Sequence, residues 1–271
     1  MSAFASLTLA AVLIASWPGI AHAQDKPASN VAETKAADYE PQSGQPGKDV
    51  VWVPTPQVVV DKMLELARVT AQDYVIDLGS GDGRTVITAA QRGARALGIE
   101  YNPDLVELSR RAAERAGVAK QANFIKADLF ETSFAEASVV TMFLLPDLNL
   151  KLRPIILGLK PGTRIVSNTF TMGEWEPDAT ADLAGQPGCT ISYCKVLHWV
   201  VPRDAVGTYK TAQGELTLKQ EFQMLTGALK NGTTVLKVTG RVRGEDIDLS
   251  DGKKQYRAQL KGGVMELRAV N

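Results

Sequence analysis

The sequence predicts an α/β fold, a doubly wound and mostly parallel sheet followed by a small all-β antiparallel meander, and three observations predict it. Short, nearly all-apolar runs recur from Tyr74 onward, as in strands buried on both faces. Amphipathic stretches of helical period separate them, which is the rhythm of strands joined by crossover helices. Beyond about Arg203 the helical stretches cease, and short runs alternate with Gly, Asn and Asp pairs such as Lys230-Asn231-Gly232 and Asp251-Gly252.

Taken in order, residues 1–23 carry no charged side chain, run apolar from Leu7 to Ile20 and end in Ala21-His22-Ala23, the small-x-small pattern of a signal-peptidase site. A signal peptide cleaved before Gln24, and export to the periplasm, are expected. The missing basic n-region leaves a short membrane anchor or a misplaced start as alternatives. Residues 24–48 are polar, rich in Pro, Ala and Gly, and without hydrophobic period, and are read as a disordered linker.

Order is expected to begin near Val51. Thr55 is placed to cap a helix that opens at Pro56 and presents Val59, Val60, Met63, Leu64 and Ala67 on one face as far as Val69. Strands are then expected at Tyr74 to Leu78, Ala94 to Glu100, Asn123 to Ala127, Ser138 to Leu144 and Arg164 to Phe170. Helices are expected at Arg84 to Arg92, Pro103 to Ala116 and Leu148 to Leu159. The domain so defined covers residues 49–202. The segments Leu216 to Leu225, Thr233 to Val242, Ile247 to Leu249, Tyr256 to Leu260 and Val264 to Leu267 read as a meander of five or six strands, within a second module at 203–271.

The informative stretch is Tyr74-Val-Ile-Asp-Leu-Gly-Ser-Gly-Asp-Gly83, a buried strand that delivers a glycine-rich turn into a helix, which is a Rossmann-like arrangement. Glycines here let the backbone turn tightly and approach a ligand lying across the strand ends. A dinucleotide fingerprint would place Gly or Ala at position 84, where this chain has Arg84, and Asp77 is ill suited to a pyrophosphate. A carboxylate suits a ligand with an ammonium group and a sulfonium, and S-adenosylmethionine carries both and no phosphate. Two further acids close later strands. Glu100, after the second, is placed to accept from ribose hydroxyls, and Asp128, after the third, from the adenine amino group, with the Leu129 N–H facing a ring nitrogen and Tyr101 or Leu129 covering the ring. Each acid alone could equally be a cap or a solvated residue; three at successive strand ends form a pattern.

The order DLGSGDGR, GIEYNP and KADLFE resembles motifs I to III of the class I, seven-strand S-adenosylmethionine-dependent methyltransferases. Over about residues 51–175 the chain resembles, within that class, the lysine methyltransferases that modify the c-ring protein of mitochondrial ATP synthase and adenine nucleotide translocase. Val53-Pro54-Thr55-Pro56, Phe143-Leu144-Leu145-Pro146 and Arg164 to Trp175 carry the likeness. The resemblance implies S-adenosyl-L-methionine as cofactor, bound by Asp77, Gly79, Ser80, Gly81, Gly83, Glu100, Tyr101, Asp128 and Leu129. It also implies Thr55 over the methionine end and Leu144 to Asp147 along the methyl-transfer channel. The turn Leu144-Leu145-Pro146-Asp147 stands where base-directed enzymes carry Asn/Asp-Pro-Pro-Tyr/Phe, so an amine of a protein or small molecule is the expected acceptor. Asp147 is the candidate to orient that amine or take its proton, against the alternative of a helix N-cap. Trp175 either shapes the acceptor channel or is buried in the core.

Composition sets limits. Lys+Arg and Asp+Glu are both 30, so no basic excess marks a nucleic-acid partner, and none is expected. Cleavage of the signal peptide would leave His198 as the only histidine, too few for a histidine metal site. Cys189 and Cys194 fit a short disulfide loop or two buried thiols equally well. The competing functional reading is an exported, non-catalytic nucleoside-binding or envelope-interaction protein on the same scaffold. Substrate recognition, dimerisation and envelope contact all stay open for the β module.

Overall fold

The computed structural model describes residues 39–270, so the expected signal peptide and residues 24–38 of the expected linker lie outside the described residues. The remainder of that linker is not the irregular tether the composition predicts. Gly44 N donates to Trp52 O at 2.8 Å and Trp52 N to Gln45 O at 2.9 Å, closing a small hairpin-like strap around a Pro46–Val51 bridge.

The first part of the chain runs α1 (Gln57–Leu66), β1 (Tyr74–Leu78), α2 (Arg84–Gln91), β2 (Arg95–Glu100), α3 (Pro103–Arg115), β3 (Ala122–Lys126), β4 (Val139–Met142), α4 (Pro146–Leu157) and β5 (Arg164–Asn168). Each expected strand and helix is present, with ends moved by a few residues. Two further strands, β6 (Ala179–Asp182) and β7 (Lys195–Val200), complete a seven-stranded sheet of order β3-β2-β1-β4-β5-β7-β6. β1 to β5 pair parallel, whereas β7 runs antiparallel between β5 and β6. Adjacent residues of one strand feed opposite layers. Val75 packs with Val60, Leu64, Val86 and Ala89 of α1 and α2, and Ile76 packs with Leu152 and Ile156 of α4. That two-sided burial is why these strands read as continuous apolar runs.

Helix starts follow local chemistry. Asn102 caps α3 by accepting from Asp104 N at 2.9 Å, with Pro103 supplying a pre-set φ in the first turn. At α1 the cap position belongs to Pro56, one residue later than expected, and Thr55 makes no cap bond.

The second sheet is an antiparallel meander of seven strands, one or two more than expected: β8 (Gly207–Thr211), β9 (Gly214–Glu221), β10 (Met224–Asn231), β11 (Thr234–Arg243), β12 (Asp246–Ser250), β13 (Gln255–Lys261) and β14 (Val264–Val270). It curls almost into a barrel, with Gln213 Nε2 donating to Leu267 O at 3.3 Å across its ends. Alternate residues, among them Leu216, Leu218, Ile247, Leu249, Tyr256 and Ala258, fill its interior. One extra strand, β8, precedes the expected segments, and the apparent run Leu216 to Leu225 is broken by a turn at Phe222, whose φ is +50°, so that β10 begins at Met224. No glycine marks that turn. Phe222 instead stacks on Trp175 with ring centroids 6.2 Å apart, and Gln223 Nε2 donates to Glu176 O at 2.6 Å, so tertiary contacts hold a conformation that the local sequence does not favour. A second tie is Arg241 of β11, which donates from Nη2 and Nε to Asp178 Oδ1 at 2.6 and 3.1 Å. No helix among the described residues is long and apolar enough to cross a membrane.

Candidate active site

The carboxyl ends of β1, β2, β3 and β4 meet along one sheet edge, and the turn after β1 is its centre. Gly79 N and Ser80 N donate to Ile99 O at 2.9 and 3.1 Å, Ser109 Oγ donates to Gly81 O at 3.0 Å, and Glu100 Oε2 accepts from Gly81 N at 2.9 Å. The turn is thus held by β2 and α3 with its open side toward the cleft. Gly81 has φ +53°, and a side chain there would meet the Trp52 ring 2.6 Å away. Gly83 serves another purpose. It opens α2 at φ +81°, and a Cβ would strike Phe124 and Ser109 at 2.7 and 2.8 Å, so it admits the close packing of α2 on the sheet and does not line the cleft.

Asp77 lies beneath this turn, buried, with Oδ1 accepting from Thr141 Oγ1 at 2.6 Å. Burial raises its pKa to about 7; the Thr141 bond opposes the rise, and the charges of Glu100 and Asp82 add to it. The site therefore holds a carboxyl that a neighbouring cation would ionise. Asp82 is paired with Arg84, whose Nε donates to Asp82 Oδ1 at 2.9 Å while Nη1 donates to Thr55 O at 2.8 Å. This clamp carries the chain ahead of α1 over the cleft and accounts for the placement of Thr55, which is buried and lines the cavity.

At the other end, Asp128 follows β3 and forms an ion pair with Lys48 of the strap, whose ammonium also sits 5.1 Å from the Tyr101 ring centroid. The Lys48 bond, aided by Phe130 N, holds the Asp128 carboxyl below its ordinary range, and Asp128 in turn raises Lys48. Composition gave no sign that residues 39–48 join the site. Lys48 in a Pro- and Gly-rich stretch is the kind of residue that only packing assigns.

The cleft holds about 1030 Å³ including its open mouth, at the upper end for a small-molecule site. All the expected cofactor residues except Gly83 line it, joined by Lys48, Trp52 and Val53 from the strap and by Ile99, Leu105 and Met142 from the sheet and α3. Three residues that the sequence raised stand apart from its lining. Asp147 is exposed in the first turn of α4 and lines no cavity wall, and the N-cap position is Leu145; its charge faces the positive end of the helix dipole. Trp175 is fully buried between Phe222 and Trp199, its carbonyl accepting from Trp199 Nε1 at 2.7 Å, and is core. His198 stands in mid-sheet on β7, and burial lowers its pKa to about 4, so it is no base for this site. Cys189 and Cys194 form a disulfide, their Cα atoms 6.2 Å apart, within the range such a link requires. No three His, Cys, Asp or Glu side chains gather to hold a metal ion among the described residues.

The residues present fit S-adenosylmethionine. Ser80 Oγ is buried at the cleft wall without a hydrogen-bond partner, carboxylates lie within β1, at the end of β2 and just after β3, and Gly79 and Gly81 line the cleft with no side chain of their own. Residues 77–179 match the family described as the ANTKMT methyltransferase domain. The chain is 45% identical over 131 residues to a protein-lysine N-methyltransferase of Saccharolobus islandicus, covering 47% of this chain and 81% of that protein. The chain belongs to this methyltransferase family. It is also 36% identical over 158 residues to the adenine nucleotide translocase lysine N-methyltransferase of mouse, with 54% of this chain and 68% of that protein covered. Among solved structures, an RNA methyltransferase from Salinibacter ruber in complex with S-adenosyl-L-homocysteine is 51% identical, with a TM-score of 0.52, covering 56% of this chain and 95% of that one. The cofactor of this methyltransferase is S-adenosyl-L-methionine.

Proposed function

We propose that the protein methylates an amine, the ε-amine of a protein lysine. The carrying observation is the hollow that opens beside the cleft, where Val50, Val53, Phe143 and Leu145 present apolar side chains and no acidic or basic side chain joins them. When bound, the cofactor supplies a methyl group on a sulfonium. Asp77, Glu100, Asp128 and the glycine turn would hold it so that the methyl passes to the neutral amine's lone pair as the S–C bond breaks, and the resulting ammonium would release its proton to water at the open mouth of the cleft. In-line placement and exclusion of water supply most of the acceleration, and an apolar wall favours the uncharged amine. The Saccharolobus and mouse relatives are both named as lysine methyltransferases, which supports this acceptor.

The test is to incubate the purified protein with methyl-labelled cofactor and a cell-envelope extract, then digest to single amino acids and nucleosides. Methyl-lysine is expected. Label on nucleosides and none on lysine would assign RNA instead, as in the name of the Salinibacter protein. Export belongs to the same reading and rests on residues 1–23 alone. N-terminal sequencing of the protein from its native host is expected to begin at Gln24, and a cytosolic chain beginning at Met1 or Ser2 would overturn it.

A further inference from the structure

Beside the cofactor cleft lies a second hollow that shares Val50, Val51, Val53 and Phe143 with it and is otherwise lined by Leu145, Phe170 and Tyr193. Three rings form one of its walls. Phe143 and Phe170 stack with centroids 5.9 Å apart, and Tyr193 tilts against them at 5.4 and 5.7 Å. Topology brings them together: Phe143 follows β4, Phe170 follows β5, and Tyr193 precedes β7, whose antiparallel course puts its start beside the carboxyl end of β5.

The wall is built at some cost. Thr169, a β-branched residue, holds φ +64°, a conformation such side chains avoid, and this turns the chain into Phe170. The strained turn is tied on every side. Thr169 N donates to Lys195 O at 2.6 Å, Ser167 Oγ to Phe170 O at 2.7 Å, and Asn149 Nδ2, from the buried face of α4, to Phe170 O and Thr171 O at 3.2 and 3.1 Å. Tyr193 is tied covalently, since its neighbour Cys194 is buried and bridged to Cys189. Tyr193 also lies outside the matched span 77–179, so this third side of the wall is not drawn from the family domain.

We infer that this hollow is the acceptor subsite. The rings on one side and the valines on the other clasp the unbranched alkyl stem of a lysine and lead its nitrogen toward the cofactor cleft, and the Cys189–Cys194 link holds Tyr193 in the wall. The inference rests on the lysine reading above and narrows it. An aliphatic stem gains from apolar burial along its length, and the aromatic faces hold the methylated ammonium that transfer to the uncharged amine leaves. A flat, polar base would set its polar edge against valines, Leu145 and ring faces, with no charged side chain in the hollow to pair with it.

The test uses the full-length protein saturated with S-adenosylhomocysteine and titrated with Nα-acetyl-Nε,Nε,Nε-trimethyl-lysine amide as probe. Binding is expected. Phe170→Leu and Tyr193→Leu, which keep apolar volume and lose the ring, are expected to weaken it by about tenfold, the size of one desolvated cation–π contact. Cys189→Ser is expected to act in the same direction as Tyr193→Leu. S-adenosylhomocysteine affinity should stay within about twofold in each variant, separating loss of the subsite from loss of the fold. Failure of the probe to bind the loaded wild type, or undiminished binding in both ring variants, would overturn the assignment. The labelling experiment judges the lysine reading separately. Methyl-lysine formed with an unchanged KM in both ring variants removes the subsite and leaves that reading intact, whereas label on nucleosides removes the reading itself.

Discussion

Glu100 accepts the backbone N–H of Gly81 on one carboxylate oxygen and that of Asn102 on the other, each at 2.9 Å, and so ties the turn after β1 to the end of β2 and the start of α3. A residue expected from sequence only to meet a ribose thus also shapes the turn it faces. Glu100→Ala removes two charge-assisted bonds, each worth about 1.5–3 kcal/mol in protected settings and less here at a half-exposed site. The dissociation constant for S-adenosylhomocysteine, read by isothermal titration, is expected to rise at least about tenfold, with a lower melting temperature. Glu100→Gln keeps one acceptor oxygen and should fall between. Unchanged affinity in the alanine variant would remove the carboxylate from the binding surface.

Asp77 makes the site sensitive to pH. Its folded pKa of about 7 lies above the roughly 3.9 of an unfolded chain, so its contribution to stability is full below about pH 4 and is lost as pH rises through 7. Asp77→Asn removes that loss. The variant, without ligand, is expected to melt higher than wild type at pH 8, and the advantage should be smaller at pH 5 and vanish only below about pH 4. Cofactor affinity runs the other way, because the ammonium needs an ionised partner: wild-type binding should strengthen between pH 6 and 8, and the asparagine variant should bind weakly without that step. Melting curves and titrations at the two pH values check both signs, and a flat wild-type affinity would contradict them.

Lys48 pairs with the carboxylate expected to receive the adenine amino group, so cofactor and lysine compete for Asp128. Lys48→Ala is expected to speed association of S-adenosylhomocysteine severalfold, and raised salt should speed the wild type more than the variant, because exposed pairs are screened. Stopped-flow tryptophan fluorescence, with Trp52 at the cleft wall as reporter, reads the rate. A slower variant would mean that Lys48 assists entry.

Asp178 is almost wholly buried at the junction of the two sheets, where it accepts from Arg241 and from Val200 N. Asp178→Ala leaves an arginine and a backbone N–H without their acceptor, at a cost of about 2–4 kcal/mol. Differential scanning calorimetry is expected to show the meander melting apart from the methyltransferase sheet. A single transition at the wild-type temperature would show that Trp175 and Phe222 suffice.

The parallel half of the fold was legible because burial on both faces writes long apolar runs, and the glycine turn because three positive φ angles in five residues favour glycine at each. β6 escaped since Ala179–Asp182 is a four-residue strand with only alternate, partial burial. The turn at Phe222 escaped because ring stacking, not a local turn residue, holds it. Asp147 looked catalytic by its place after the fourth strand, yet α4 begins at Pro146 and points that carboxylate to solvent. The strap and the ring wall are products of packing among distant segments, which spacing along the chain does not record.

Chain order and spatial order part company in the first sheet. β7 pairs with both β5 and β6, and among the described residues β6 pairs with β7 alone, so the strand that follows Tyr193 is what joins the earlier strand β6 to the sheet. During synthesis the pairs of the cofactor half, β1 with β4 included, are available once β5 has emerged, whereas the acceptor wall waits for Tyr193 and the β7 strand behind it. Every strand of the meander pairs with its chain neighbour and needs no such wait. A chain that lacked β7 would therefore keep the strand ends that line the cofactor cleft and lose Tyr193 from beside Phe143 and Phe170, the rings that choose what receives the methyl group.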